Sequence, residues 1–333
     1  MKVGISCNSV ESYSYNDGRF NVTGDSIEAY FLAKAFSKLA DVESAVVFGS
    51  NQSRNIEYAA SHLDLAIHLN LLANSVPCHV ESAKFNIFFY QNAYDLDRCF
   101  AAVEKSYDAI LFYSAKLVRQ YRDLGGELPH AMCTFATDTN AFPFRDYPRT
   151  ETDYDICYVG SSITRSKEQY KSFFEPLINS DMLRFFLGGR YTSAESTRLV
   201  AEFAQPLDIG PASASDIYTK SECALLTINA HDIEHEIIPS RIYDIAVSGT
   251  LILAEYHEYL YREFGSSIFY VEPDEDIASI VASIIALPDD IKQKKVGEMR
   301  DKVLKTGATY DEQAREMLDF YNEIQANKEN NEL

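Results

Sequence analysis

Short runs of apolar, β-favouring residues alternate along the chain with stretches whose apolar positions recur every three or four residues. In the first half, the β-like runs cover residues 2–7, 44–48, 63–69, 84–90 and 107–113. Between the first two runs, the apolar spacing from Ile27 to Leu39 predicts an amphipathic helix that begins near Asp25 or Ser26. This alternation is typical of a parallel sheet covered by helices.

The pattern restarts after residues 136–153, which contain Pro143 and Pro148 and show no clear periodicity. Strands are then predicted at 154–159, 182–187, 223–229 and 250–254, and helices at 166–179, 193–203, 274–287, 289–306 and 310–326. Pro239 and Ser240 indicate a further helix start, and Gly249 its end. A chain of 333 residues exceeds what one core usually serves. We therefore expect two doubly wound α/β domains facing each other across a cleft, over residues 1–150 and 151–310, with a C-terminal helix and polar tail over 311–333.

The net charge, the cysteines and the motifs that are missing exclude several classes of function. The formal net charge of −20 argues against nucleic acid or an anionic bilayer as the main partner, because both select clustered Lys and Arg. The six cysteines form no C-x-x-C pair and are interpreted as core residues in a reducing compartment. With no leader-like segment and no long apolar stretch, we expect a cytoplasmic protein without a transmembrane segment. No nucleophile elbow, P-loop or metal-binding histidine cluster is recognised, so a hydrolase and a kinase lack their necessary parts. No cofactor is expected.

Two carboxylates lie at a predicted strand-to-helix junction, where a ligand is expected. Glu236 falls on the loop and Asp244 about one turn into the helix. In open parallel sheets ligands bind beyond the carboxyl ends of the strands, and a helix start attracts phosphate. Arg241, near the start of this helix, could clamp a diphosphate or instead form an ion pair with either acid.

Other candidates for the same ligand follow the neighbouring strands. Gly160 and Ser161 end one predicted strand with Arg165 close behind, and Arg190 follows a second glycine turn. Backbone N–H groups and cations there could converge on phosphates, although most such turns only connect elements. Tyr218 could border a nucleoside base or simply pack in the core.

Motifs in the second half resemble the carboxyl-terminal domain of CgeB-like (spore-maturation type) glycosyltransferases, which have the two-Rossmann-domain GT-B fold. The resemblance covers roughly residues 154–320 and rests on the following positions: Gly210-Pro211, Tyr218, residues 225–229, residues 240–244, Ser248-Gly249, residues 251–253, Phe264 and Thr309-Tyr310. Residues 135–138 with Phe142-Pro143 and residues 154–160 are similar to that family's crossover into its second domain.

The resemblance implies transfer of a sugar from a nucleotide-sugar donor, without a bound metal, in the cleft between the domains. Related enzymes carry a Glu-x7-Glu signature whose first acid contacts the donor sugar and whose second holds the ribose. Here the spacing is kept by Glu236 and Asp244, with Asp in the second position. A nucleotide- or sugar-binding protein without turnover and a nucleotide-sugar epimerase remain alternatives with the same fold.

If the second domain holds the donor, the first presents the acceptor, which could be a glycan, a lipid-linked group or a protein. Asp25 and Asp95 are candidate general bases, and His68 could bind either substrate. Two of these residues also have a structural alternative. Asp95 with Asp97 could cap a helix, and His68 could be an interior histidine. Inversion and retention both remain open.

Overall fold

Two parallel β-sheets, each covered by helices, form the molecule. The computed structural model describes residues 1–7, 24–49, 63–69, 83–90, 96–149, 151–161, 165–207 and 211–331. The presence of two parallel sheets confirms the two predicted doubly wound α/β units.

The first sheet has six strands in the order β2-β1-β3-β4-β5-β6. Their bounds are β1 (Lys2–Cys7), β2 (Ser44–Gly49), β3 (Leu65–His68), β4 (Asn86–Tyr90), β5 (Ala109–Phe112) and β6 (His130–Met132). The helices described in this unit are α1 (Gly24–Phe36), α2 (Leu96–Ser106) and α3 (Ala115–Asp123). β1, β3, β4 and β5 consist mostly of buried apolar residues, as expected for strands covered on both faces.

The second sheet has five strands in the order β11-β10-β9-β7-β8. Their bounds are β7 (Tyr154–Ser161), β8 (Phe185–Arg190), β9 (Ser221–Leu226), β10 (Leu251–Glu255) and β11 (Phe269–Val271). Helix α4 is α-helical over Lys167–Gln169 and Glu175–Ile178 and π-helical over Tyr170–Phe174. The helices that follow are α5 (Arg198–Phe203), α6 (Pro211–Thr219), α7 (Ala230–His235), α8 (Arg241–Ser248), α9 (Glu258–Phe264), α10 (Ile277–Ile285), α11 (Asp289–Lys305) and α12 (Tyr310–Asn331).

The last helix returns to the first unit. The Tyr310 ring stacks on Phe31 of α1 with the centroids 5.3 Å apart, and Met317 and Leu318 are buried in the first core. The chain therefore passes between the two units twice. The passages meet where Thr137 and Thr309 form an isolated parallel bridge, with the Thr137 amide donating to Ala308 and the Tyr310 amide to Thr137.

Local sequence signals explain where the elements begin and end. Asn229 caps α7 by accepting a hydrogen bond from the Asp232 amide at 2.8 Å, and Ser114 caps α3 through the Leu117 amide at 3.2 Å. Helix α8 ends at Gly249, whose φ of 76° is left-handed, as the sequence predicts. The helices α2, α3, α6, α7 and α9 and the short strands β6 and β11 are not predicted from the sequence. No helix among the described residues is long and apolar enough to cross a bilayer.

Candidate functional site

The second sheet has a switch in strand order at β7. The chain runs from β7 to its neighbour β8 and then returns to β9, which pairs with the other side of β7. In open α/β sheets, a crevice forms beyond the carboxyl ends of strands at such a point. Tyr158 and Gly160 at the end of β7, Thr227 just after β9 and Arg241 at the start of α8 lie around this crevice.

Arg241 presents a buried cation there. Its guanidinium carbon lies 4.9 Å from the centroid of the Tyr158 ring, in a cation–π arrangement. Its Nη1 atom is buried and has no hydrogen-bond partner among the described residues, and Arg241 forms no ion pair with any of them. A buried donor left without a partner is costly, so an acceptor supplied by a ligand would stabilise this arrangement.

Two glycines allow the backbone to approach Arg241 closely. A Cβ atom at Gly160 would lie 2.7 Å from the Tyr158 ring and 2.9 Å from Nη2 of Arg241. Gly189, its partner in the β7–β8 register, has a φ of 140°, and a Cβ there would overlap the carbonyl oxygen of Gly160. Both positions therefore need glycine for close packing at the crevice.

A second guanidinium lies at the same crevice. Nε of Arg165 donates to Oγ1 of Thr227 at 2.9 Å, and Thr227 in turn lies 3.5 Å from the Tyr158 hydroxyl. Burial raises the pKa of Tyr158, but the charges of Arg165 and Arg241 oppose it and bring that pKa down to about 8. Two positive charges therefore act together on this phenol at the end of β7.

Asp232, on α7, belongs to the same electrostatic group. Burial raises its pKa to about 6, while Arg165, the hydrogen bond from Asn229 and Arg241 act in the opposite direction. Nδ2 of Asn229 donates to the Asp232 carboxylate at 2.6 Å. This acid therefore compensates only part of the positive charge.

Asp244 connects α8 to the first crossing between the two units. Oγ1 of Thr137 donates to Oδ1 of Asp244 at 2.6 Å, and Thr137 is 1% exposed. Burial raises the pKa of Asp244 to about 7, against the Thr137 hydrogen bond and the charge of Arg241. One oxygen of the Asp244 carboxylate is therefore occupied by a hydrogen bond from the segment that crosses between the two units.

Glu236 lies at a cavity between the two units. It ends α7 with a φ of 54°, and its carboxylate pairs with Arg262 at 2.8 Å. The cavity has a volume of about 510 Å³. It is lined by Tyr113, Ser114, Ala115, Met132, Thr134, Phe135, Glu236, Ile238, Tyr243, Tyr259, Arg262, Glu263, Phe264 and Thr306.

The other candidates from the sequence are placed as follows. Tyr218 is 2% exposed and packs near Phe142, with the ring centroids 6.2 Å apart. His68 is 1% exposed, and its Nε2 lies 3.0 Å from Oδ1 of Asn86. It does not line the cavity.

Some candidates lie at the limits of the described chain. Asp95 lies outside the described residues. Asp25 falls in α1, Ser161 in β7 and Arg190 in β8, but their side chains lie outside the described part of the structure. The structure therefore brings Gly160, Arg165 and Arg241 together, with Glu236 and Asp244 on either side of the start of α8.

The sequence alone does not single out four groups at or near this site: Tyr158, Thr227, Asp232 and the two histidines of α7. Tyr158 and Thr227 fall in predicted strands, and nothing in their immediate sequence distinguishes them from core positions. His231 and His235 were also overlooked, although their i, i+4 spacing was visible. The structure places them on one short helix, α7, with ring centroids 4.7 Å apart.

No protein-family model matches the sequence, and a comparison with curated proteins finds no match. Solved structures, in contrast, share its fold over almost the whole length. AviGT4, a glycosyltransferase involved in avilamycin A biosynthesis, aligns with a TM-score of 0.62 and 12% identity over 98% of both chains. Sucrose-phosphate synthase from Thermosynechococcus elongatus aligns with a TM-score of 0.66 and 10% identity, covering 98% of this chain and 99% of that one.

HepE of Anabaena, solved in complex with UDP-glucose, aligns with a TM-score of 0.62 and 10% identity, covering 96% of this chain and 99% of that one. Together with the two sheets, these likenesses show that the chain has the GT-B fold. The predicted fold class is therefore confirmed.

Proposed function

We propose that this protein is a glycosyltransferase that moves a sugar from a nucleotide-sugar donor to an acceptor in the cleft between its domains. The observation that carries the proposal is the buried guanidinium of Arg241, whose Nη1 lacks a partner among the described residues at the switch point of the second sheet. An anionic diphosphate supplies the missing acceptor. The GT-B fold and the nucleotide-sugar bound to HepE support this choice of ligand.

The two arginines would also contribute to rate. Breaking the bond between the sugar and the diphosphate leaves negative charge on the diphosphate, and preorganised donors stabilise that charge as it develops. Arg241 and Arg165 are held by Tyr158 and Thr227 before any ligand arrives. We propose that these cations take the role that a divalent metal has in other transferases.

The acids on either side of α8 are assigned to the rest of the donor. Asp244 uses Oδ1 for Thr137, and a carboxylate retains further acceptor sites on its second oxygen, which we assign to a ribose hydroxyl. We assign Glu236 to the donor sugar, because it joins the start of α8 to the cavity between the domains. This arrangement follows the acidic pair of CgeB-like enzymes, the subgroup we propose.

The cavity is proposed as the space for the acceptor. Its first-domain wall, with Tyr113, Ser114 and Met132, follows the carboxyl ends of β5 and β6. Aromatic walls with a nearby Arg–Glu pair suit a polyhydroxylated group that offers both an apolar face and hydroxyls. The acceptor could still be free, lipid-linked or attached to a protein.

The experiment that tests the function is an incubation of the protein with a panel of UDP-, GDP-, ADP- and dTDP-sugars, with the released nucleotide measured. We expect release from at least one donor, increased by a suitable acceptor. Glu236→Ala should weaken binding of that donor more than binding of its free nucleotide. Saturable binding without release under any acceptor would support a binding protein instead, and a change of sugar stereochemistry without release would support an epimerase.

A further inference from the structure

Helix α7 carries two histidines and a glutamate in the arrangement of a metal site. His231, Glu234 and His235 stand at positions i, i+3 and i+4, so their side chains share one face of the helix. One potential ligand atom from each lies within 4.8 Å of the others. Among the described residues, no other group of three such side chains lies as close together.

The geometry is close to that of a bound ion. In a tetrahedral zinc site with ligands at about 2.0–2.1 Å, two ligand atoms lie about 3.4 Å apart. The three ligand atoms would therefore move together by at most about 1.4 Å, through rotation about their χ angles. Glu234 is exposed and His231 is half-buried, so an ion can reach the site from the side of Glu234.

A neighbour in the first domain sets the tautomer of His235. Nδ1 of this histidine lies 3.2 Å from Oε1 of Gln120 on α3. An amide oxygen only accepts hydrogen bonds, so the ring proton sits on Nδ1 and the lone pair on Nε2. Metal-binding histidines generally donate their second ring N–H to such an oxygen, which orients the ring.

The same turn of helix is anchored to the first domain a second time. The carbonyl oxygen of His235 accepts a hydrogen bond from Oγ of Ser114 at 2.6 Å, and Ser114 is 4% exposed. The end of α7 is therefore held across the domain junction, one residue before Glu236. A ligand that orders this turn would order the junction between the domains as well.

We propose that His231, Glu234 and His235 form a binding site for a divalent transition-metal ion of the zinc class at the domain junction. Imidazole suits zinc, copper and nickel, whereas magnesium and calcium prefer oxygen ligands alone. Three protein ligands leave a fourth position for water. The ion would order α7 and the adjacent junction, and its binding requires no nucleotide-sugar.

The test is isothermal titration of the reduced full-length protein with Zn²⁺ alone, without nucleotide. We expect saturable binding that weakens at least tenfold in His231→Gln and in Glu234→Gln, since even the loss of a supporting contact costs about 10–100-fold. Thermal unfolding without metal verifies that the variants are folded. Zn²⁺ should raise Tm in the wild type and much less in the variants.

His130→Gln is the matched control. Both ring nitrogens of His130 are engaged, Nε2 by Arg122 and Nδ1 by the carbonyl of Leu128, so its removal should leave Zn²⁺ affinity unchanged. Gln120→Ala should weaken binding and Gln120→Glu should strengthen it, because a carboxylate makes the imidazole a better ligand. Equal affinity in the wild type and in both ligand variants would overturn the proposal, as would the absence of saturable binding.

Discussion

Replacing Arg241 by alanine should weaken nucleotide binding strongly. If the buried Nη1 donates to a diphosphate oxygen, the substitution removes at least one hydrogen bond between charged groups. Such a bond contributes about 1.5–3 kcal/mol, which corresponds to about a 10- to 150-fold increase in Kd. Loss of a second bond from the planar guanidinium fork would increase the effect.

The guanidinium also packs on the Tyr158 ring, so the variant must be shown to fold. Removing a desolvated cation–π contact costs on the order of 2 kcal/mol of stability. Arg241→Lys keeps the charge and loses the fork, so its UDP affinity should fall between those of the wild type and the alanine variant. Arg184→Ala is the matched control, because Arg184 pairs with Asp155 just before β8, at the opposite end of the strands.

The assay is isothermal titration with UDP at pH 7, with thermal unfolding of each variant measured in parallel. UDP is the first probe because HepE was solved with UDP-glucose; if it does not bind, the nucleotide of the donor found active takes its place. The reasoning is refuted if a folded Arg241→Ala protein binds nucleotide within twofold of wild type.

Three further predictions concern the same site. Because the pKa of Tyr158 is about 8, its phenolate forms above that pH and competes with a diphosphate for the two guanidiniums. The Kd for UDP should therefore rise between pH 7 and 9. This rise should disappear in the Tyr158→Phe variant. Gly160→Ala should lower Tm and weaken UDP binding, because the added Cβ would collide with Tyr158 and Arg241. The control Gly297→Ala lies within α11 with open space around its Cβ and should stabilise the protein by about 0.5–1 kcal/mol. Equal effects of the two substitutions on Tm would contradict the packing argument. With the pKa of Asp244 raised to about 7, the folded state holds a proton that the unfolded chain has lost above pH of about 4, so this group lowers stability as pH rises from 4 to 7. Asp244→Asn should flatten that part of the profile of Tm against pH, and an unchanged slope would argue against a buried acid.

Most of the fold could be predicted from the sequence because apolar periodicity dominates in a buried parallel sheet. The strand Lys2–Cys7 and the helix Asp289–Lys305 agree with the predicted bounds to within one residue. The missed strands, His130–Met132 and Phe269–Val271, have three residues each at the sheet edges. Three residues cannot show a period, and their pairing depends on neighbours distant in the sequence.

The candidate site was predictable only in part. A strand end followed by a helix start locates the crevice, and this pattern predicts that Gly160, Arg165 and Arg241 converge there. The partners of these residues come from elsewhere in the chain, such as Thr137 for Asp244, at a separation of 107 residues. No local pattern encodes such a contact. The field that lowers the pKa of Tyr158 likewise depends on two arginines brought together by folding.

The histidine pair on α7 shows a different limit. The spacing His231-x3-His235 is visible in the sequence, but it brings the two side chains together only in a helix, and the sequence predicts a loop here. The structure supplies both the helix and the Gln120 contact from the other domain. A short helix capped by Asn229 has too few residues for its periodicity to be recognised.

The most direct test of the donor-site assignment is a crystal structure of the protein soaked with its nucleotide, UDP in the first instance. We expect the diphosphate at the carboxyl ends of β7 and β9, within hydrogen-bond distance of Nη1 of Arg241 and near Arg165 and the backbone of Gly160. Nucleotide bound in the first domain, or a diphosphate that leaves Nη1 of Arg241 without a partner, would contradict the assignment.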